Sequence, residues 1–152
     1  MDTLNAISPP VNRAAYGGFW IRFAAYAVDT VVLLIPTLFA SFLYRAVYAA
    51  NDELEKAAVD VVTTGLNLTI WWVYTAGMLS GPWQATIGKK VCGLKVMSTN
   101  GARITFGQAT GRYFASFLSI LLFGVGFLMI SWTLKRQGLH DMMAGTVVVK
   151  HM

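Results

Sequence analysis

The sequence predicts an all-α membrane protein with two spanning helices, a third apolar segment and a small cytoplasmic β-hairpin or three-stranded sheet. Its 152 residues are 56% apolar and only 12% charged, which is typical of integral membrane proteins. Apolar runs cover residues 19–44, 60–79 and 113–134. β-prone segments flank Asn100-Gly101 in the polar stretch between the second and third runs, and Asn-Gly is a strong hairpin signal.

The first apolar run, residues 19–44, is long enough to cross a bilayer, because about 20 helical residues span the hydrocarbon core. Two ionisable residues interrupt it, Arg22 and Asp29, which share one helix face with Tyr26 between them. Charges in membrane helices usually face protein or water. Asp29 is therefore either a structural hydrogen-bond acceptor or part of a substrate or ion pathway. The polar residues 1–18 predict a flexible N-terminal leader.

The second apolar run, residues 60–79, carries the polar residues Thr63 and Asn67 on one helix face. Polar groups in a membrane helix hydrogen-bond to a neighbouring helix or line a polar cavity. We therefore expect Asn67 either to hold two helices together or to share a cavity with Thr63 and Asp29.

The loop between the second and third runs is strongly basic. Residues 80–112 contain no acidic side chain and hold Lys89, Lys90, Lys95, Arg103 and Arg112. A basic excess beside a membrane marks a loop as cytoplasmic, so the N-terminus is expected inside and the acidic residues 45–59 outside. The same five cations are predicted to contact anionic lipid.

Three segments predict the sheet. Residues 94–98 and 102–106 are β-prone and flank the Asn-Gly turn, and residues 146–150 form a third β-prone segment near the C-terminus. A lone terminal strand is unstable, so we expect residues 146–150 to pair with the hairpin.

The third apolar run, residues 113–134, allows two arrangements. Its 22 residues suffice for one crossing, but a crossing would put Lys135 and Arg136 outside and leave residues 146–150 without a partner. Alternatively, Gly124-Val125-Gly126 is a turn between two short arms that enter and leave the membrane on one side. Such re-entrant segments are tolerated when they are buried against protein.

Three motifs in this order carry a family resemblance: FWIRFAAYAVD, QATIGKKVCGLKV and RQGLHDMMAGTVVV. The pattern resembles the RDD family of small bacterial membrane proteins over about residues 16–150. That family is named for one arginine and two aspartates, which fall here on Arg22, Asp29 and Asp141. The resemblance implies a membrane domain of few spans over residues 19–150, in the bacterial inner membrane. It also implies a role in transport, with cation/proton exchange suggested for some members.

Arg22, Asp29 and Asp141 are predicted to form one charge-compensated set, with the arginine between the two acids. A re-entrant arm would return Asp141 to the membrane face where Arg22 lies. The set is either a latch that fixes topology or part of a pathway, and loss of function on mutation would not separate the two. His140 is a candidate proton relay or a structural residue.

Two classes of function follow. The first is a small membrane transporter or cation/proton exchanger, acting as a homo-oligomer because three short apolar runs are few for a complete pathway. The second is a non-transporting adaptor that recruits a protein or anionic lipid through its basic cytoplasmic face. No nucleophile is recognisable, so enzymatic activity is not expected. Neither a metal, a cofactor nor a nucleic-acid partner is predicted, and the single cysteine, Cys92, excludes an internal disulfide.

Overall fold

A computed structural model describes residues 15–48, 52–122 and 124–150. These residues form six helices and two strands, in the order α1 Phe19–Val47, α2 Glu53–Ser80, α3 Ile87–Val91, β1 Leu94–Ser98, α4 Phe106–Leu121, α5 Val125–Leu128, α6 Leu139–Met143 and β2 Thr146–Lys150. The first 14 residues of the predicted leader lie outside the described residues.

Two long helices, α1 and α2, pack against each other and are longer than the apolar runs that predicted them. Most of residues 45–59, which were predicted to form a loop, is helical, so the predicted ends of the two helices on either side are wrong. Asp52 caps α2 by accepting a hydrogen bond from the backbone N–H of Glu55 at 2.7 Å. Acidic side chains in the first turn also favour the helix N-terminus, so the polar stretch extends α2 rather than forming a loop.

By length and mean hydropathy, α1 is the one described helix that is suited to cross a membrane by itself. The third apolar run forms α4, α5 and a 3-10 turn at Met129–Ser131, with a bend of 114° between its two arms. Counted as one broken span, this pair raises the number of candidate spans to two. Gly124 has a φ of 77° at the bend, and a Cβ on Gly126 would lie 2.6 Å from the Ser119 hydroxyl. Both glycines therefore serve the turn that their spacing predicted.

The sheet has two antiparallel strands, with Leu94 opposite Lys150 and Ser98 opposite Thr146. Both strands coincide with the predicted segments, but the predicted third strand at 102–106 is wrong. The Asn-Gly turn exists, since the N–H of Ser98 donates to the carbonyl of Ala102 at 2.8 Å. After that turn, Thr105 forms a capping box with Gln108, which begins α4 and prevents a second strand.

The other edge of β2 contacts the chain that precedes α1. Tyr16 forms an isolated antiparallel bridge with Val149, and the N–H of Gly17 donates to the carbonyl of Val148 at 2.9 Å. Tyr16 is buried, so the start of α1 is fixed to the C-terminal strand.

The main core lies where the sheet meets the long helices. Its fully buried apolar residues come from α1, α2, β1, β2 and the chain around the start of α4: Ala25, Ala76, Leu79, Leu94, Val96, Ile104, Ala109 and Val148. α3 approaches α1 closely at the backbone carbonyl of Ala25, and this approach positions the site described next.

Candidate functional site

Asp141 lies between two arginines from different helices. Its Oδ2 accepts a hydrogen bond from Nη1 of Arg22 in α1, and its Oδ1 lies 2.7 Å from Nη2 of Arg112 in α4. Asp141 is fully buried, and both arginine side chains are at least nine-tenths buried. This buried ion triplet joins α1, α4 and α6.

Other nitrogens of both guanidinium groups donate to further partners. Arg22 donates through Nε to the carbonyl of Gly17 at 2.8 Å and through Nη2 to the carbonyl of Arg136. Arg112 donates through Nη1 to the Thr146 hydroxyl at 3.3 Å. The triplet therefore also fixes the chain before α1, the chain before α6 and the start of β2, which is the arrangement expected of a structural latch.

Burial and nearby charges shift the pKa values of both titratable residues of α6, Asp141 and His140. Burial alone would raise the pKa of Asp141, but Arg112 and Arg22 outweigh it and hold that pKa well below its usual range. Burial lowers the pKa of the adjacent His140 to about 4, so this imidazole is neutral at pH 7. Its Nε2 lies 3.4 Å from Oδ1 of Asp141, and its ring packs 5.0 Å from that of Phe127.

Asp29 lies in a separate cluster of neutral donors. Its Oδ1 accepts from the Tyr74 hydroxyl at 2.6 Å and from the Gly88 N–H at 2.7 Å, and its Oδ2 accepts from the Thr86 hydroxyl at 2.6 Å. Asp29 is buried, so this carboxylate joins α1 to α2 and to the start of α3. Three donors at short range satisfy most of its hydrogen-bonding capacity.

Gly88 makes this second cluster possible. A Cβ at this position would overlap the carbonyl oxygen of Ala25 and would lie 2.9 Å from the carboxyl carbon of Asp29. Only glycine allows the α3 backbone so close to α1, and the approach brings its N–H to the carboxylate.

The predicted single set of Arg22, Asp29 and Asp141 therefore divides into two. Arg22 does meet Asp141, as expected, but the hydrogen bonds of Asp29 go to Tyr74, Thr86 and Gly88. The ionic cluster is also the reverse of the predicted one, because an aspartate lies between two arginines.

Two of the predicted supporting residues, Thr63 and Asn67, form hydrogen bonds away from Asp29. The Asn67 amide donates to the Ser41 hydroxyl at 3.1 Å, and the Thr63 hydroxyl donates to the carbonyl of Val59 in its own helix. Because α1 and α2 run in opposite directions, the height of Asp29 along α1 corresponds to Tyr74 in α2 rather than to Asn67. The Tyr26 ring packs 5.4 Å from that of Trp71 and is largely exposed.

The five basic residues assigned to a lipid-contacting surface have different environments. The predicted lipid contact of Arg112 is wrong: this residue is buried against Asp141, because it lies inside α4 rather than in the loop. Lys90 is exposed with its ammonium 3.3 Å from the centre of the Trp83 ring, and Nε of the exposed Arg103 donates to the carbonyl of Ser80 at 2.6 Å. Lys95 is half-buried in β1.

Lys89, the fifth of these residues, lies within reach of both charge clusters. Burial, followed by the positive charge of Arg112, lowers its pKa to about 8. The negative charges of Asp29 and Asp141 act in the opposite direction and limit the shift.

Sequence reasoning missed four residues of the two clusters: Tyr74, Thr86, Gly88 and Arg112. One available signal is Thr86-Ile87-Gly88, which combines a helix-capping hydroxyl with a glycine two residues later. The other is the location of Arg112 at the start of an apolar helix, where a charge needs a buried partner. Within the described part of the chain, no group of three or more His, Cys, Asp or Glu residues could hold a metal ion.

The chain is similar to two uncharacterized proteins of Bacillus subtilis (strain 168). The chain is 35% identical over 145 residues to the uncharacterized protein YxaI of Bacillus subtilis (strain 168), covering 87% of this chain and 95% of YxaI. It is 28% identical over 144 residues to YteJ of the same organism, an uncharacterized membrane protein, covering 89% and 81% of the two chains. No solved structure matches the chain.

The family model that matches covers nearly the whole chain. The model of the RDD family matches residues 16–145, a range that contains the apolar helix α1 and both charge clusters. Together with the name of YteJ, this match indicates a membrane protein. The chain belongs to the RDD family.

Proposed function

We propose that the protein is a non-transporting membrane adaptor whose basic cytoplasmic face recruits an acidic partner, a protein or anionic lipid. The observation that carries this proposal is that both buried carboxylates are hydrogen-bonded or ion-paired to groups of the protein itself. Asp29 accepts from three neutral donors and Asp141 is paired with two arginines. An acid that binds a transported cation needs oxygens available to that cation, whereas here both acids join structural elements.

The proposed topology has α1, the one described helix suited to cross by itself, and the helix α2 packed against it crossing the membrane together, with the N-terminus and the sheet in the cytoplasm. The third apolar segment re-enters the membrane instead of crossing it. Supporting this, β2 pairs with β1 and also contacts Tyr16, so the C-terminal strand lies on the same side as the basic loop and the start of α1. The 114° bend between α4 and α5 is the geometry that such a hairpin needs.

Cysteine labelling tests this topology in a Cys92→Ser background. New cysteines at Glu55, Asn100 and Lys150 are treated with a membrane-impermeant maleimide in intact cells. We expect labelling at position 55 alone, because the proposal puts the other two in the cytoplasm. Labelling at position 150 would contradict the re-entrant segment, and labelling at all three sites after permeabilisation is the control.

Ion flux tests the adaptor function. Wild-type protein and the Asp29→Asn variant are reconstituted in proteoliposomes and assayed with a panel of monovalent cations under an imposed pH gradient. We expect no flux above that of empty liposomes for either protein. Flux in the wild type that Asp29→Asn abolishes, while its folding stays intact by thermal unfolding, would contradict the proposal.

Transport is the second candidate function, and Lys89 is the observation that favours it. An amine with a pKa of about 8, electrostatically coupled to Asp29 and Asp141, could exchange a proton at physiological pH. This function requires a homo-oligomer to complete a pathway. A Lys89→Gln variant in the same flux assay tests the role of the amine.

A further inference from the structure

A cleft of about 410 Å³ lies beside the first turn of α1, and neither charge cluster lines it. Its walls come from the start of α1, from the chain around Ile130 and Arg136, and from Lys150 at the end of β2. Its volume falls within the range of about 300–1,000 Å³ that is common for small-molecule sites. The cleft is therefore large enough for part of an amphiphilic molecule.

The polar end of the cleft is positively charged. Arg136 and Lys150 line it; Nη1 of Arg136 donates to the carbonyl of Tyr16 at 3.4 Å, and within the described ranges neither residue forms an ion pair. The first turn of α1 carries no acidic side chain. A Cβ at Gly18 would lie 2.8 Å from Nη1 of Arg136, so glycine lets the guanidinium lie against the start of the helix. These charges favour a phosphate.

The apolar end of the cleft continues onto the outer surface of α1. Phe19, Ile21 and Ile130 line it together with Trp20, which is 78% exposed. The rings of Phe19 and Phe23 contact that of Trp20 at centroid distances of 5.4 and 6.4 Å. Exposed tryptophan at a helix end is typical of the membrane–water interface, where headgroups and the first acyl carbons lie.

We propose that this cleft binds an anionic phospholipid, with its phosphate between Arg136 and Lys150 and an acyl chain along Trp20 and Ile130. Basic pockets at the cytoplasmic ends of membrane helices recognise such headgroups. The inference deepens the adaptor proposal by naming a lipid site and rests on its proposed topology, but it holds whether or not the protein transports ions. It is also distinct from the predicted lipid contacts of the loop, because neither Arg136 nor Lys150 belongs to that set.

Native mass spectrometry of the full chain in detergent tests this site with dioleoyl phosphatidylglycerol and dioleoyl phosphatidylcholine. We expect the wild type to prefer the anionic lipid by roughly thirtyfold, since each cation near the surface contributes about fivefold. The Arg136→Gln/Lys150→Gln variant should lose most of this preference. Lys150→Gln alone, an exposed change at the end of β2, should lose about fivefold.

The matched control is Arg45→Gln/Lys56→Gln, which removes two exposed cations at the opposite end of the long helices. It should keep the preference of the wild type. Equal affinity of the wild type for both lipids would overturn the proposal, as would an unchanged preference in both the single and the double variant at the cleft. Inorganic phosphate is the third probe. If it displaces phosphatidylglycerol at a comparable concentration, the acyl chain makes no contribution and the commitment to lipid is wrong.

Discussion

The Asp141→Asn variant is expected to lose about 3–5 kcal/mol of stability, because the change leaves two buried guanidinium groups without their carboxylate. For a chain of this length, that loss corresponds to a fall in the unfolding temperature of roughly 6–20 °C. Thermal unfolding of the purified protein in detergent measures it. Because the pKa of Asp141 is depressed, the same stabilisation should be present at neutral pH and lost only as the pH falls below the ordinary range of aspartate.

Asp60→Asn is the matched control for this loss. Asp60 also pairs with an arginine, Arg45, at 2.7 Å, but more than half of each side chain is exposed. An exposed pair contributes about 0–1 kcal/mol, so the control should unfold within a few degrees of the wild type. An Asp141→Asn protein that unfolds at the same temperature as the control would show that the buried triplet does not hold the fold together.

The Gly88→Ala variant is expected to lose about 3 kcal/mol or more. The added methyl overlaps the carbonyl oxygen of Ala25, so α3 must move away from α1 and the N–H of Gly88 must leave Asp29. Overpacking and the loss of a buried hydrogen bond to a charged group each contribute about 1–3 kcal/mol. The same unfolding measurement in detergent detects the change.

Gly77→Ala separates this steric effect from the general effect of replacing glycine. Gly77 lies within α2 and a Cβ there meets nothing within 4 Å, so alanine should stabilise the helix by about 0.5–1 kcal/mol. Opposite signs for the two glycine variants are expected. A neutral Gly88→Ala would mean that α3 does not lie against α1 as described.

How well each strand or helix could be predicted depended on how strong its local sequence signal is. Residues 94–98 and 146–150 are β-rich, and both formed strands at the predicted positions. Residues 102–106 have a similar composition, but Thr105 and Gln108 form a capping box that begins a helix. Capping is a local hydrogen-bonding effect, and here it decided against β-propensity.

The candidate site was less predictable because its partners are distant in sequence. Arg22 and Asp141 are 119 residues apart, and a need for charge compensation was enough to pair them. Asp29 was assigned to the same set on its charge alone, because neutral hydrogen-bond donors such as Tyr74 and Thr86 cannot be recognised as its partners from the sequence. Arg112 was misassigned for a related reason: counting loop charges ignores where a helix begins.

The two aspartates act in separate structural clusters, and double-mutant cycles distinguish this arrangement from one coupled set. Thermal unfolding is measured for Arg22→Gln, Asp141→Asn and Asp29→Asn and for the two double variants that contain Arg22→Gln. We expect a coupling of at least about 1.5 kcal/mol between Arg22 and Asp141, and a coupling within about 0.5 kcal/mol of zero between Arg22 and Asp29. Strong coupling of Arg22 to Asp29, or none to Asp141, would contradict it.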